Sequence, residues 1–184
     1  MKQVVSRDKL QDHGSERSLI AGVIFHGPES LLAVEEIINA SDFHSELFQK
    51  IFATLQYIVH EKNLKSFDTP TIISSLKILG FDSIAGDPKI EEMLRTIVVG
   101  VPSKDNLDNL ASVVYKLSVI RTAYRCLHNV NNKIVEYTGQ ESLTDIVSSV
   151  EDPIFEFTGK IFSKDHTMMP MADGFEKVLE LRQQ

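Results

Sequence analysis

The stretch from residue 103 to residue 137 reads SKDNLDNLASVVYKLSVIRTAYRCLHNVNNKIVEY and decides the fold class. Its apolar residues recur at steps of three or four: Leu107, Leu110, Val114, Leu117, Ile120, Tyr124, Leu127, Val130, Ile134 and Tyr137. This spacing predicts one long amphipathic helix with a narrow apolar seam, because residues three and four apart lie on one side of a helix. Ser103 is placed to cap this helix and Gly139 to end it.

A second amphipathic helix follows after about four residues. Ser142-x-x-Asp145 resembles a capping box, with aspartate in place of the usual glutamate or glutamine. The apolar positions after it are Leu143, Ile146, Val147, Val150, Ile154, Phe157 and Ile161. Pro153 stands among them, so we expect a kink or a restart at Asp152-Pro153. Two helices with so short a connection form an antiparallel hairpin.

A hairpin of this length leaves one apolar seam that its own chain cannot cover, and such seams are usually oligomer contacts. The alternative is that the seam folds back onto the N-terminal part of the chain. We predict a self-association surface that consists of Leu110, Val114, Leu117, Tyr124, Leu127, Ile134, Ile146 and Val150.

The pattern before the hairpin predicts a compact head of about five short helices, so the fold class is all-α. No run of residues alternates with the period of a strand. Gly and Pro lie mostly between the helices. The expected capping residues are Ser15, then Ser41 or Asp42, then Asp68 and Asp87, and the prolines at helix starts are Pro28, Pro70 and Pro88.

Four segments follow from these patterns. Residues 1–13 are expected to be disordered, 14–103 form the head, 104–162 form the hairpin, and 163–184 form a linker and a linker helix. Asp173 caps the linker helix, which places Phe175, Val178 and Leu179 on one face. A helix this short is not stable alone, so these three residues are expected to dock on another surface.

Composition narrows the function classes. The net charge is −7, with 19 Lys and Arg against 26 Asp and Glu. A chain with this charge is expected to bind nucleic acid poorly by itself, so any role in nucleic-acid metabolism would depend on protein partners. Its single cysteine, Cys126, cannot form an intramolecular disulfide and is expected to be buried. A signal peptide and a membrane-spanning apolar run are both missing from the sequence, which predicts a cytoplasmic setting.

The motifs of common catalytic sites are also missing from the sequence. It contains no phosphate-binding loop and no dinucleotide fingerprint. The six histidines are scattered, and a second cysteine for a zinc site is absent. We therefore predict no catalytic, cofactor or metal site in this chain, and a function that depends on contacts with other proteins.

Several short motifs in one order resemble the N-terminal region of DnaB-type replicative DNA helicases. They are Glu16-Arg17-Ser18-Leu19-Ile20, Ser41-Asp42-Phe43-His44, Ile51-Phe52, Asp68, Val101-Pro102-Ser103 with Asn106-Leu107, and Arg121. The resemblance covers about residues 14–162, and the tail that follows looks like the family's linker and linker helix. The departures are Arg17, Ala21, His44 and Pro153, which would fit a divergent member such as one encoded by a phage or plasmid.

This resemblance implies a non-catalytic collar. In the family, heads and hairpins pair and assemble as a ring, a trimer of dimers, where primase and the helicase loader can dock. The linker helix packs on the neighbouring subunit's ATPase domain. ATP and Mg²⁺ bind to that ATPase part, and DNA is engaged only by the full-length ring. The expected partners of this chain are therefore other copies of itself (as a dimer, a trimer of dimers or a hexamer), primase and the loader.

Two other classes of function remain open at this point. A stand-alone adaptor or inhibitor could mimic the collar and bind a helicase or primase. A stop codon directly after Gln184 would favour the adaptor, whereas a downstream phosphate-binding loop would favour the helicase. A small helical enzyme is the third class, and catalytic ATP turnover by this chain alone would support it.

Overall fold

The computed structural model describes residues 10–97 and 99–162. These residues form eight α-helices and no strand, which confirms the all-α prediction. The helices are α1 (His13–His26), α2 (Pro28–Glu35), α3 (Glu46–His60), α4 (Thr69–Ile78), α5 (Asp82–Ala85), α6 (Pro88–Thr96), α7 (Leu107–Val135) and α8 (Leu143–Phe162). Short 3₁₀ turns lie at Ala40–Asp42 and Lys104–Asn106.

The chain divides into two compact units, Met1–Arg121 and Thr122–Gln184. We call them the first unit and the second unit. The described part of the first unit contains α1 to α6 and the beginning of α7, and that of the second contains the rest of α7 and α8. The division falls inside α7, whereas the sequence placed the end of the head at residue 103.

Side-chain caps begin three of the six short helices, α1, α4 and α6, but the cap of α1 is not the residue that the sequence predicts. Asp12, not Ser15, caps α1, and its carboxylate accepts the N–H of Ser15 at 2.9 Å. The sequence misplaced this cap because Asp12 and Ser15 both have side chains that accept a backbone N–H. Asp68 caps α4 by accepting the N–H of Thr71 at 2.8 Å, and Asp87 caps α6.

Helix α3 begins later than the sequence predicts. Ser41 and Asp42 lie in a 3₁₀ turn, where the Asp42 carboxylate accepts the N–H of Asn39 at 2.8 Å. The first residue of α3 is Glu46, and the preceding Ser45 makes no side-chain cap. The expected cap at Ser41 or Asp42 is therefore wrong. The Asp42 side chain makes its hydrogen bond within the 3₁₀ turn, and this turn does not continue into α3.

One short helix was not predicted. Helix α5 has four residues, Asp82–Ala85, and a single turn is too short to show a periodic apolar pattern. The five predicted short helices correspond to α1, α2, α3, α4 and α6.

The core of the first unit lies where α1, α3 and the beginning of α7 pack. Leu19 and Ile20 of α1 are fully buried, as are Ile51 and Phe52 of α3. At Gly22 the helices approach so closely that a Cβ would stand 2.3 Å from Cδ2 of Leu107. Glycine at this position lets α1 lie directly against the first turn of α7.

The second unit is a helical hairpin with a short, hydrogen-bonded turn. The carboxylate of Glu141 accepts the N–H of Gly139 at 2.8 Å and that of Thr138 at 3.0 Å. Ser142 begins α8 as predicted, because its hydroxyl accepts the N–H of Asp145 at 3.1 Å. The Asp145 carboxylate in turn accepts a hydrogen bond from the Ser142 hydroxyl at 2.7 Å. The reciprocal bond of this capping box is therefore made between the two side chains.

Helix α8 runs through Pro153 without a restart. Of the two outcomes expected at Asp152-Pro153, the restart is therefore wrong, and the kink stays a prediction. A proline removes one main-chain hydrogen bond, and the turns on both sides keep theirs. The Pro153 carbonyl also accepts the thiol of Cys126 at 3.3 Å, a contact that joins the two helices of the hairpin.

Candidate self-association surface

The predicted surface residues of α7 in the first unit are not equally accessible. Val114 is only 1% exposed and belongs to the core of that unit. Leu110 is half-buried against the same core, and Leu117 is half-buried. Val114 therefore does not belong to a self-association surface, because its side chain already packs inside the folded chain.

The predicted residues of α7 in the second unit are open to solvent. Tyr124 is 46% exposed, Leu127 60% and Ile134 45%. On the same helix Val130 is buried, and the thiol of Cys126 reaches α8. Helix α7 therefore uses one side for its hairpin partner and leaves a second apolar side uncovered. We call Tyr124, Leu127, Asn131 and Ile134 the α7 stripe.

Helix α8 has an apolar exposed side as well. Ile146 and Val150, which the sequence assigned to the surface, are half-buried. The exposed large apolar side chains on this helix are Leu143, Val147, Ile154 and Phe155, and Phe155 reaches 80%. The list of predicted surface residues omitted all four. Leu143, Val147 and Ile154 follow one another at steps of four and seven residues, which was the available signal, but periodicity alone does not tell which of two adjacent faces is buried.

The two helices of the second unit carry opposite charge. Between residues 122 and 135 the cationic residues are Arg125 and Lys133, and Asp and Glu are absent from that stretch of sequence. Helix α8 contains Asp145, Glu151, Asp152 and Glu156 against a single lysine. The hairpin turn adds Glu141, whose pKa lies below its usual value chiefly because the N–H of Thr138 donates to its carboxylate.

Ring and amide contacts order the exposed side of α7. The Tyr124 and His128 rings are parallel, with centroids 6.2 Å apart. The Asn132 amide nitrogen lies 3.2 Å from Nε2 of His128. These side chains are held in place on the helix surface, which lowers the entropy lost when a partner covers them.

The first unit contains a buried polar cluster that the sequence did not assign to any role. Arg121 is buried, and its guanidinium donates to the carbonyl of Leu10 at 3.0 Å and to the carbonyl of Asp42. The Ser118 hydroxyl donates to the Asp42 carboxylate at 2.8 Å. Only the match of Arg121 to the family's arginine pointed to this position. The cluster attaches α7 to the turn before α3.

The remaining sequence predictions concern Cys126, metal binding, membrane-spanning helices and the linker helix. Cys126 is half-buried. In the ranges 10–97 and 99–162 no cluster of His, Cys, Asp and Glu is arranged to hold a metal ion. Helices long and apolar enough to cross a membrane are also missing from those ranges. The proposed docking residues Phe175, Val178 and Leu179 lie outside the described residues.

Comparison with known proteins identifies the family. The family model "DnaB-like helicase N terminal domain" matches residues 8–116. Among 37 matching chains of solved structures is the N-terminal domain of DnaB helicase from Mycobacterium tuberculosis, with a TM-score of 0.66 and 18% identity. That alignment covers 79% of this chain and 97% of the other. A search of curated proteins gave no match. Since the family model spans more than half of the sequence, the chain belongs to the DnaB-like helicase N-terminal domain family.

Proposed function

We propose that this chain is the non-catalytic N-terminal collar of a replicative DNA helicase, which holds protomers together and offers a docking platform. Family membership and the matching fold support the helicase context. The observation that carries the self-association part is the uncovered apolar side of both helices in the second unit.

Energetics favour covering this surface. Burial of one large aliphatic side chain typically contributes about 1.5–3 kcal/mol. Leu127, Val147 and Ile154 are each more than a third exposed in the single chain. A second copy that covered all three would gain several such contributions, against the cost of fixing two molecules relative to each other.

The docking partners follow from the same proposal. Primase and the helicase loader would bind the collar during assembly of the replication machinery. ATP and Mg²⁺ would be bound by an ATPase domain, and DNA would be contacted by the assembled full-length ring in the cytoplasm. This chain would contribute contacts between proteins and no bond chemistry.

The test is the absolute mass of the chain in solution, measured by light scattering over a concentration series. We expect a mass of two, three or six protomers that falls on dilution. A strict monomer at the highest concentrations would contradict self-association by this chain alone. Binding of primase or loader to the immobilised chain, measured separately, would test the docking part.

A further inference from the structure

The first unit contains an open groove between the corner of α1 and α2 and the loop that leads into α4. The groove has a volume of about 830 Å³ and is lined by residues 24–29 and 65–68. Its apolar lining includes Ile24 and Phe67, which are nearly buried, and Phe25, which is 60% exposed. We call it the head groove. Its residues are all different from those of the predicted self-association surface.

The corner between α1 and α2 leaves one side of the groove without main-chain donors. Gly27 has a φ of +85°, and apart from its chain neighbours no atom lies within 4 Å of the place where a Cβ would be. Pro28 follows and has no N–H. A molecule in the groove therefore finds space and apolar surface on this side, and its main-chain hydrogen bonds must come from the opposite wall.

The opposite wall carries main-chain groups without partners. Residues 66–68 are neither helix nor turn, and Asp68 has the extended angles φ −89° and ψ 152°. Within residues 10–97 and 99–162, the main-chain N–H and C=O groups of residues 65–67 make no hydrogen bond. This is unusual for Phe67, which is only 8% exposed, because buried main-chain groups are nearly always paired. An extended segment of this kind can pair with a peptide that adds as a strand.

The charges along the groove leave one cation available. The Glu29 carboxylate pairs with the Lys104 ammonium at 3.3 Å, and the Asp68 carboxylate already caps α4. Lys65 is exposed, and its side chain makes no ion pair or hydrogen bond with the part of the chain that the structure describes. An acidic residue of a bound peptide would therefore find a partner in Lys65 without displacing an existing one.

We propose that the head groove binds an extended peptide of a partner protein, which packs an apolar or aromatic side chain on Ile24, Phe25 and Phe67 and places an acidic residue beside Lys65. The peptide adds as a strand along residues 65–67 and pairs with their N–H and C=O groups. The acidic residue contributes selectivity more than affinity, because its partner is exposed to water. The inference rests on the docking part of the proposed function, and it adds the groove and the chemistry of the peptide.

Selection from a displayed library of random peptides, with the full chain immobilised, provides the probe. We expect the enriched peptides to share an apolar or aromatic residue close to Asp or Glu. The most enriched peptide is synthesised with a fluorescent label, and its dissociation constant is measured by anisotropy. A library that shows no enrichment, or enriched peptides without an acidic residue, would overturn the proposal.

Substitutions of exposed groove residues test where the probe binds. Phe25→Ser removes apolar contact area and should raise the dissociation constant of the probe about tenfold. Lys65→Glu reverses the available charge and should raise it about fivefold. The matched controls are Ile78→Ser and Lys89→Glu, because Ile78 is also 60% exposed and Lys89 is exposed on α6. Both controls should bind the probe as the wild type does, and circular dichroism shows that each variant is folded.

Strand addition has a readout of its own. Along a paired strand, alternate main-chain N–H groups point towards the neighbouring strand. Methylation of one main-chain nitrogen of the probe at a time should therefore weaken binding at alternate positions and leave the positions between them unchanged. Loss of binding without this alternation, or no loss at any position, would contradict pairing with residues 65–67.

The outcomes distinguish this inference from the proposed function. If the probe binds Phe25→Ser and Lys65→Glu as tightly as the wild type, the groove assignment is wrong, whereas self-association and docking at another surface stand. If the groove variants lose the probe but the chain is a strict monomer by light scattering, the groove stands and self-association by this chain is contradicted. Probe binding without any binding of primase or loader would contradict those two partners and leave the groove in place.

Discussion

At the scale of single residues, buried polar groups join segments that are distant in sequence. Glu16 of α1 is buried, and its carboxylate accepts the backbone N–H groups of His44 and Ser45. Ser45 itself does not cap α3. Glu16 therefore performs the capping role from another helix, because it accepts the two backbone N–H groups that directly precede α3.

Replacing Glu16 by glutamine is expected to destabilise the first unit. Glutamine keeps the size of the side chain but offers one acceptor oxygen in place of two, and its NH₂ group faces a donor. A hydrogen bond to a charged group contributes about 1.5–3 kcal/mol, so the loss of one such bond should lower the free energy of unfolding by about that amount. Urea denaturation followed by circular dichroism measures it.

Glu36→Gln is the matched control, because Glu36 is exposed and lies on the same unit. The control should change the free energy of unfolding by less than about 0.5 kcal/mol. Equal stability of Glu16→Gln and Glu36→Gln would show that the Glu16 carboxylate does not hold the start of α3.

At the scale of helices, carboxylate caps make stability depend on pH. Asp68 caps α4, and its pKa is lowered chiefly because the N–H of Thr71 donates to it, with the Thr71 hydroxyl adding to the effect. The pKa of Asp12 is lowered by the hydroxyl and then the N–H of Ser15. Because the folded pKa lies below the unfolded one, the stabilisation is present above the unfolded value and is lost as pH falls through the folded value.

Asp68→Ala is expected to lower the free energy of unfolding by about 1 kcal/mol at neutral pH. The difference from the wild type should shrink below about pH 4, where the carboxylate of the unfolded chain begins to bind protons. Thermal unfolding at a series of pH values measures this difference. Asp82→Ala is a useful control, because Asp82 is exposed and does not occupy the cap position of α5. A difference that stays constant down to pH 2 would contradict capping by an ionised Asp68.

The starts of most helices, but not of all, can be predicted from the sequence. Caps and prolines located most helix starts, since their chemistry is local: Pro28, Asp68 and Asp87 stand where expected. Local chemistry was insufficient at α3, where the capping carboxylate comes from Glu16 on another helix. It was also insufficient at Pro153, because the local preference of proline against a helix did not outweigh the remaining bonds of α8.

At the scale of the whole molecule, the apolar spacing of α7 identified a seam but not its division into buried and exposed parts. Val114 and Leu127 both belong to the 3–4 series, yet they lie about 140° apart on an ideal helix. Val114 packs in the core of the first unit, and Leu127 is exposed in the second. Each step of three or four residues leaves a small rotation about the helix axis. These rotations add up along the helix, so residues that are many steps apart need not lie on the same face.

Leu127 is the position where self-association is most directly tested. Leu127→Asp removes an apolar side chain that is 60% exposed in the single chain and places a carboxylate in the proposed contact. Because the side chain is open to solvent, the fold should be retained, while the mass measured by light scattering at matched concentration should fall towards that of one protomer. Asn129→Asp adds the same charge to the same helix outside the stripe and should leave the mass unchanged. An unchanged mass for Leu127→Asp, in a wild-type chain that does assemble, would move the contact away from α7 and leave the apolar side of α8 as the surface to examine.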